Sequence, residues 1–390
     1  MNNNIKLGYD DISIVPERIT QIRHRKECIY FDIETMMLPI FTAPMSNVID
    51  IQTSEVYTSN SINIVLPRSV NFEERLKFMM SSYDSSSKFT SFSLTEAQKI
   101  FINDAYGENY NENEILRVRH NLNSNYFTGS YKICIDVANG HMSELIDTIK
   151  EIKELYKDKV KIMSGNIANP NTYIDYENAG CDFLRCSIGS GSRCITSSNV
   201  GVHYGTFSLL KEIWEIKQDI NGKCKIIADG GIRGYGDIQK ALIYADYVMI
   251  GGLFNKAIDS AGIPVYGCSY WTIFGKKILN PFKTLVTYGK KVSKDDYQKV
   301  IKKIKEGKID VWKDFYGMST KIAQEEINPN AKTKTSEGKI ERQKVEYTIK
   351  DWADNEKDYL RSAMSYTNSR FLSDYKNSNW IQLTHKSYNK

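Results

Sequence analysis

The sequence is poor in the features that mark membrane, secreted and zinc-binding proteins. No stretch approaches the roughly 18 consecutive apolar residues of a transmembrane helix. The opening MNNNIKLGYDD lacks a basic segment followed by an apolar one, so no secretory signal peptide is predicted and a cytoplasmic location is expected. The seven cysteines include no CxxC pair and there are only five histidines, which argues against a disulfide framework or a zinc site.

A dominant charge is also missing. The 52 basic and 47 acidic residues leave a net charge of +5, which is too small to predict nucleic-acid binding but suits a small phosphate-bearing ligand. Apolar residues make up 41% and charged residues 25%, as in a folded globular protein. A chain of 390 residues can form one large α/β barrel or two ordinary domains.

What the sequence does contain is an alternation of short apolar runs and amphipathic stretches. Strands are predicted for the apolar runs at 132–137, 161–165, 181–189, 225–231 and 247–252. Helices are predicted at 142–156, 171–179, 206–217 and 236–244. Such repetition favours a parallel sheet covered by helices.

Glycine-rich and polar segments lie just beyond the carboxyl ends of these strands. They lie at 136–140, 165–166, 189–194, 229–231 and 251–252. Because (β/α)8 barrels assemble their active sites from the loops at that end, an α/β fold of the (β/α)8 TIM-barrel type is predicted, with loop insertions on the catalytic side. We expect one catalytic domain over 1–378, a structured insertion at about 263–313 and a polar tail over 379–390. No element is predicted over 78–130, which is rich in Ser, Asn and Tyr.

The motif GSGSRCIT at 189–196 is the sharpest chemical feature. Small residues before Cys194 allow a tight loop whose backbone N–H groups can face an anion. A helix beginning after the loop would favour both a phosphate and a thiolate. The alternative is a plain Gly/Ser turn with a passive, buried cysteine.

Two glycine pairs follow consecutive predicted strands. In DGGIRG, Asp229 precedes Gly230 and Gly231, and in IGGL the pair is Gly251 and Gly252. Glycine lets backbone amides approach a phosphate, and an aspartate beside such a loop can accept hydrogen bonds from ribose hydroxyls. Either pair alone could be a simple turn, but together they favour phosphate binding.

Other polar residues are more ambiguous. Asp136 and Asn139 in IDVANGH could contact a substrate or cofactor ring, or Asp136 could cap the helix that begins near Met142. Taken alone, Glu337 in TSEGK and the nearby Lys334 look like a solvated surface.

Together these segments resemble the IMP dehydrogenase/GMP reductase family. The resemblance includes GSGSRCIT, IIADGGIRGYGDIQKAL, YVMIGGLF and FYGMST, with GYDDISIVPERIT and FTAPMSNV at the entry to the barrel. It runs from about residue 7 to 370, outside 78–130 and 263–313.

The motifs are more similar to the reductase branch of the family than to the dehydrogenase branch. Dehydrogenases usually carry a pair of CBS modules, and nothing of that size is present here. Their long flap bears an Arg-Tyr dyad that activates water, whereas here only sixteen residues separate Thr320 from Glu337 and none is Arg or Tyr. DVANGH, FYGMST, TSEGK and the C-terminal LRSAMSY look like reductase forms.

The resemblance implies an NADPH-dependent oxidoreductase of purine salvage that converts GMP to IMP and ammonia through a covalent cysteine adduct at purine C2. It implies Cys194 as the nucleophile, with Thr196 and Glu337 relaying a proton to the leaving amine. For substrate binding it implies Ser192, Asp229, Gly231, Gly251, Gly252, Met318 and Ser319. For the cofactor it implies Asp136, Asn139, Lys334, Arg361, Ser362 and Tyr366. Backbone carbonyls of Gly189, Gly191 and Cys194 are expected to bind K⁺, a monovalent cation, and a homotetramer without nucleic-acid or membrane partners is expected.

Three departures from the family pattern bear on the substrate. Arg193 stands beside the nucleophile where relatives usually have a small or apolar residue, Ser46 and Asn47 replace the common Asp-Thr, and the insertion precedes FYGMST. Two alternatives therefore stay open. One is an IMP dehydrogenase or a related enzyme of another purine nucleotide, and the other is a non-catalytic nucleotide-binding protein.

Overall fold

The computed structural model describes residues 5–102, 112–191, 196–267, 270–273, 276–279, 287–288, 296–317, 320–327, 338–376 and 378–384. Its first nine strands are β1 (Ile12–Ile14), β2 (Ile40–Thr42), β3 (Ile64–Leu66), β4 (Lys88–Phe92), β5 (Tyr131–Asp136), β6 (Val160–Ile167), β7 (Phe183–Cys186), β8 (Lys225–Asp229) and β9 (Tyr247–Ile250). The helices among and after them are α1 (Ser54–Thr58), α2 (Phe72–Ser81), α3 (Leu94–Phe101), α4 (Glu112–Asn123), α5 (Ser143–Tyr156), α6 (Thr172–Asn178), α7 (Thr196–Asn199), α8 (Thr206–Asp219), α9 (Tyr235–Ala241) and α10 (Gly252–Asn255). Short 3-10 turns lie at Tyr9–Asp11, Arg25–Glu27 and Lys157–Lys159.

Within the described chain, β2 to β9 form one parallel sheet of eight strands in the order β2-β9-β8-β7-β6-β5-β4-β3. A parallel bridge between Phe41 and Asn63 brings the two edges together, since Thr42 N–H donates to the Asn63 carbonyl at 3.0 Å. The expected (β/α)8 TIM barrel is confirmed. The strands and helices predicted between 132 and 252 are all present, with ends shifted by a few residues.

Four aromatic rings close the barrel interior near the amino ends of the strands. Phe41, Phe89, Phe183 and Tyr247 come from β2, β4, β7 and β9, with neighbouring ring centroids 5.1 to 6.0 Å apart. Filling by layers of side chains from alternate strands makes such a barrel a packed core and not a pore. We call these four residues the aromatic floor.

The region for which no element was predicted holds regular structure. The described residues between 78 and 130 contain the end of α2, all of β4, α3 and α4, and no gap in the barrel results. In β4 both Thr90 and Ser91 are fully buried, so a polar strand lies where the alternation of apolar residues fails.

The described part of the inserted region and the chain that follows it form a small antiparallel sheet, a separate hairpin and two helices. Their described elements are β10 (Pro264–Gly267), the hairpin β11 (Tyr270–Ile273) and β12 (Lys276–Leu279), β13 (Thr287–Tyr288), α11 (Tyr297–Lys305), β14 (Asp310–Tyr316), α12 (Lys321–Ile327) and β15 (Ile340–Lys344). The strand order is β13-β10-β14-β15, so the sheet extends past the expected boundary at 313. The buried ammonium of Lys313 ties β14 to the chain after α10, donating to the carbonyls of Ala257 at 2.7 Å, Ile258 at 3.2 Å and Ser260 at 2.9 Å.

The chain ends against the barrel through α13 (Ile349–Tyr366), α14 (Leu372–Tyr375) and β16 (Trp380–Gln382). β16 pairs with β1, and Trp380 donates to the Tyr244 hydroxyl at 2.8 Å, so the expected polar tail begins with a paired strand. Between α13 and α9, Gln239 Nε2 donates at 2.9 Å to Oε1 of the fully buried Glu356. No helix among the described residues is long and apolar enough to span a membrane.

Candidate active site

Several of the predicted site residues lie outside the described residues. These are Ser192, Cys194, Met318, Ser319, Lys334 and Glu337, together with the neighbouring Arg193. The structure locates the others, and it adds two residues for which no role was predicted.

A buried arginine joins the ends of two barrel strands. Arg185 of β7 places Nη1 2.6 Å from Asp136 Oδ1, and its Nε donates to Asp229 Oδ2 at 2.9 Å. All three side chains are nearly buried. Although burial lowers the pKa of Arg185, the Asp229 and Asp136 carboxylates outweigh burial and raise that pKa well above its ordinary value. The two predicted aspartates, from opposite sides of β7, thus share one cation.

This contact tests one of the two interpretations of Asp136, the helix cap. The N-cap of α5 is Met142, and the Asp136 carboxylate faces Arg185 instead of the helix. The helix-capping alternative is therefore wrong. The backbone carbonyl of Asp136 also accepts from Arg68 Nη1 at 3.2 Å.

Asn166 completes the cluster on the side of Asp229. Its Nδ2 donates to Asp229 Oδ2 at 2.7 Å and to the Ser187 carbonyl at 3.1 Å. Asp229 Oδ1 receives no hydrogen bond from any described residue. Described protein donors therefore hold one carboxylate oxygen and leave the other without a partner among the described residues.

The predicted glycines line the same end of the barrel. A Cβ added at Gly230 would lie 2.7 Å from Ser190 Oγ, so the loop after β8 packs closely on the loop that begins at Gly189. Gly189 and Gly231 have φ of +76° and +79°, a region that strains other residues. Since β8 and β9 are neighbours, Gly251 and Gly252 lie beside this contact.

The ends of the cysteine loop are described although its centre is not. Gly191 and Thr196 border the undescribed residues, and Thr196 is the first residue of α7. A Cβ at Gly189 would lie 3.1 Å from the Ser197 Cβ, which places the two ends of the loop against each other. On the loop after β5, Asn139 accepts from the His141 N–H at 3.1 Å, and Gly140 N–H donates to the Asn166 carbonyl at 2.9 Å.

The predicted cofactor residues on α13 contact other parts of the protein than the Asp136–Arg185–Asp229 cluster. Arg361 stacks over the Tyr30 ring at 4.3 Å, and Ser362 Oγ accepts from Arg25 Nη1 at 3.2 Å. Tyr366 is 65% exposed. These contacts are with the N-terminal segment, and the structure does not bring the three residues together with the Asp136–Arg185–Asp229 cluster. Their cofactor role stays a prediction.

Sequence reasoning missed Arg185 and assigned no role to Asn166. A single arginine inside the apolar run FLRC is a usable signal, because an arginine in a buried strand requires carboxylate partners. Nothing in the sequence identifies which carboxylates those are.

The closed parallel barrel carries its carboxylate cluster and glycine-rich strand ends on one rim, which is where (β/α)8 enzymes have their active sites. The model of the IMP dehydrogenase / GMP reductase domain matches residues 6–389. The chain belongs to this family and is accordingly placed among the oxidoreductases.

Similar proteins point the same way. The chain is 32% identical to a GMP reductase of Bacillus licheniformis, over 77% of this chain and 82% of the relative. It is 31% identical to a GMP reductase of Lactobacillus delbrueckii subsp. bulgaricus, over 77% and 92% of the two chains. For a GMP reductase of Bacillus subtilis the identity is 30%, over 65% and 72%.

Proposed function

We propose that the protein is a GMP reductase that converts GMP, NADPH and a proton to IMP, ammonia and NADP⁺. The single observation that carries the proposal is the Arg185 bridge between Asp136 and Asp229, with glycine-lined strand ends beside Asp229. We assign a candidate cofactor contact to the end of β5 and a candidate nucleotide contact to the end of β8, two strands of one rim that Arg185 of β7 joins.

On the nucleotide side, the oxygen of Asp229 that faces no described donor suits a ribose hydroxyl. Arg185 and Asn166 hold the other oxygen, which keeps the carboxylate oriented. Backbone amides near Gly231 and Gly252 would bind the phosphate, helped by Ser192, while Met318 and Ser319 would contact the base. Gly251 contributes by leaving room for the backbone.

On the cofactor side, Asp136 and Asn139 would bind the nicotinamide end. Arg68 Nε is buried beside Asp136 without a hydrogen-bond partner among the described residues, so a polar group is expected to approach it. A bound nicotinamide supplies the hydride that no side chain can provide. Lys334, Arg361, Ser362 and Tyr366 remain candidates for the rest of the dinucleotide.

The chemistry would begin with attack of the Cys194 thiolate on purine C2, forming a C–S bond. The C2–N bond breaks as the amine takes a proton, which Thr196 and Glu337 would relay. C2 then gains hydride, the C–S bond breaks and the electron pair returns to sulfur. Carbonyls of Gly189, Gly191 and Cys194 would hold K⁺ and order this loop. We further propose a homotetramer, which light scattering can test.

The test follows NADPH oxidation by absorbance with GMP and K⁺ present, comparing wild type with Cys194→Ala. Oxidation that needs GMP and disappears in the variant is the expected result. Activity with IMP and NAD⁺ instead would move the assignment to the dehydrogenase reaction. Nucleotide binding without turnover under any of these conditions would favour a binding protein.

Alkylation supplies a control for the identity of the nucleophile. The five described cysteines, Cys28, Cys134, Cys181, Cys186 and Cys224, are all buried. Burial raises the pKa of Cys134 to about 12 and also raises that of Cys186, so neither supplies a thiolate near neutral pH. Iodoacetamide should label Cys194 first, and GMP should protect it. A Cys134→Ala variant should keep GMP-dependent activity.

A further inference from the structure

A histidine ties the loop after β5 to the chain between β6 and α6. His141 Nε2 accepts from the Ala168 N–H at 3.1 Å, and its Nδ1 lies 3.1 Å from Thr172 Oγ1. Because a backbone N–H can only donate, Nε2 carries no hydrogen, and the neutral ring has its hydrogen on Nδ1. Nδ1 therefore donates to Thr172, the first residue of α6. We call the contacts of the His141 ring with Ala168 and Thr172 the histidine bridge.

The backbone beside His141 is attached to the same part of the chain. Gly140 N–H donates to the Asn166 carbonyl at 2.9 Å, and the Gly140 carbonyl accepts from the Tyr176 hydroxyl of α6 at 2.8 Å. A Cβ added at Gly140 would lie 2.7 Å from the Asn166 carbonyl oxygen, so the two segments are in direct contact. The histidine bridge adds an attachment one residue further on, which fixes the direction of the chain at His141.

The same histidine orients the side chain of Asn139. The His141 N–H donates to Asn139 Oδ1 at 3.1 Å. Asn139 is exposed, and no described residue accepts a hydrogen bond from its Nδ2. A primary amide whose oxygen is engaged in this way presents its two N–H groups to a carbonyl acceptor, such as the carboxamide of a nicotinamide ring.

A second donor at this end of β5 points to a ligand. The carbonyl of Asp136, the last residue of β5, accepts from Arg68 Nη1 at 3.2 Å. Arg68 Nε is buried and has no hydrogen-bond partner among the described residues. Since buried donors are normally satisfied, a polar group of a ligand is expected beside Arg68. Asn139 follows Asp136 by three residues, so both donors belong to the same strand end.

We infer that His141 is a positioning residue for the dinucleotide, because its ring and its backbone N–H together hold Asn139 in place after β5. The inference rests on the proposed function, which assigns the nicotinamide end of NADPH to Asp136 and Asn139. The purine-nucleotide side does not depend on the histidine ring, since other side chains hold Asp229. Loss of the ring therefore weakens dinucleotide binding alone.

The experiment compares His141→Ala with His141→Gln and with His120→Ala, a control at an exposed histidine of α4. Glutamine has an acceptor oxygen and an amide donor, so it can contact both Ala168 and Thr172. NADPH binding is measured by fluorescence titration without GMP, and GMP binding by calorimetry without NADPH. The KM values and kcat come from NADPH oxidation, and a thermal melt reports stability.

For His141→Ala the Kd and KM for NADPH should rise about fivefold, equivalent to about 1 kcal/mol, which is the net contribution of one hydrogen bond. The Kd and KM for GMP, kcat and the thermal midpoint should not change. His141→Gln should restore most of the lost NADPH affinity, and His120→Ala should behave as wild type.

Each other outcome decides a separate point. An unchanged NADPH Kd in His141→Ala, with an active wild type, would show that the positioning role is wrong while the proposed function survives. If His141→Ala weakens NADPH and GMP binding alike and lowers the thermal midpoint, the histidine only stabilises the fold and the inference fails. If wild type binds NADPH but does not oxidise it with GMP, the proposed function fails, and the fivefold difference in Kd still tests the positioning role. If wild type does not bind NADPH, the inference is overturned as well.

Discussion

Replacing the buried Glu356 by glutamine should stabilise the protein at neutral pH. Glu356 Oε1 accepts from Gln239 Nε2, while Glu356 Oε2 and Gln239 Oε1 both lack a hydrogen-bond partner among the described residues. A single proton on Oε2 would satisfy both atoms, because the carboxylic acid and the amide could then pair through two hydrogen bonds. Burial raises the pKa of Glu356 well above its ordinary value, and no described Lys or Arg forms an ion pair with it.

The sign and size of the effect follow from the proton balance. An unfolded glutamate has a pKa of about 4.3, whereas the folded carboxyl keeps its proton to a higher pH. The stabilisation from this proton is complete below the unfolded pKa and is lost as pH rises toward the folded value. Over that window the loss is about 1.4 kcal/mol per pH unit. The amide introduced by Glu356→Gln keeps the paired geometry and does not titrate.

Urea unfolding at several pH values between 5 and 8 measures this difference. The free energy of unfolding of Glu356→Gln should exceed that of wild type by an amount that grows with pH. Glu151→Gln, an exposed glutamate on α5, is the control and should differ from wild type by a constant amount. A constant difference for Glu356→Gln as well would mean that the buried carboxyl is already ionised, and the reasoning would be refuted.

Two further substitutions test the other buried charges. Lys313→Met removes the ammonium that three backbone carbonyls share, so it should lower the free energy of unfolding, measured in urea, by about 3 kcal/mol. An unchanged free energy would mean that water replaces the ammonium as the donor to these carbonyls. Arg185→Met leaves Asp136 and Asp229 without their cation. The substitution should lower the free energy of unfolding by about 3–5 kcal/mol and abolish NADPH oxidation. A variant that stayed both stable and active would contradict the role given to Arg185.

The barrel was predictable where its strands are apolar and its helices amphipathic. The run containing Ile133 and Ile135 has that pattern, and β5 forms there. Strand β4 was not predictable by the same rule, because Thr90 and Ser91 are buried hydroxyls that look like loop residues in a sequence. The signal that could have helped is the Ser-x-x-Glu spacing of Ser93 and Glu96, which form a capping box at the start of α3.

The candidate site was predictable residue by residue but not as an arrangement. Asp136 and Asp229 were both identified from their places after apolar runs. That Arg185 joins them depends on strand register, with Asp136 beside Gly165, Gly165 beside Arg185 and Arg185 beside Ile227. The Ser46 hydroxyl likewise donates to Glu326, a residue far from it in sequence. Such pairings follow from barrel closure, which no local pattern encodes.

The aromatic floor restricts the route by which a small molecule can reach the rim. Phe41, Phe89, Phe183 and Tyr247 pack against one another inside the barrel near the amino ends of its strands, so the described barrel interior holds no channel from that end to the rim. Both ligands of the proposed reaction would therefore enter and leave on the rim side, at the carboxyl ends of the strands.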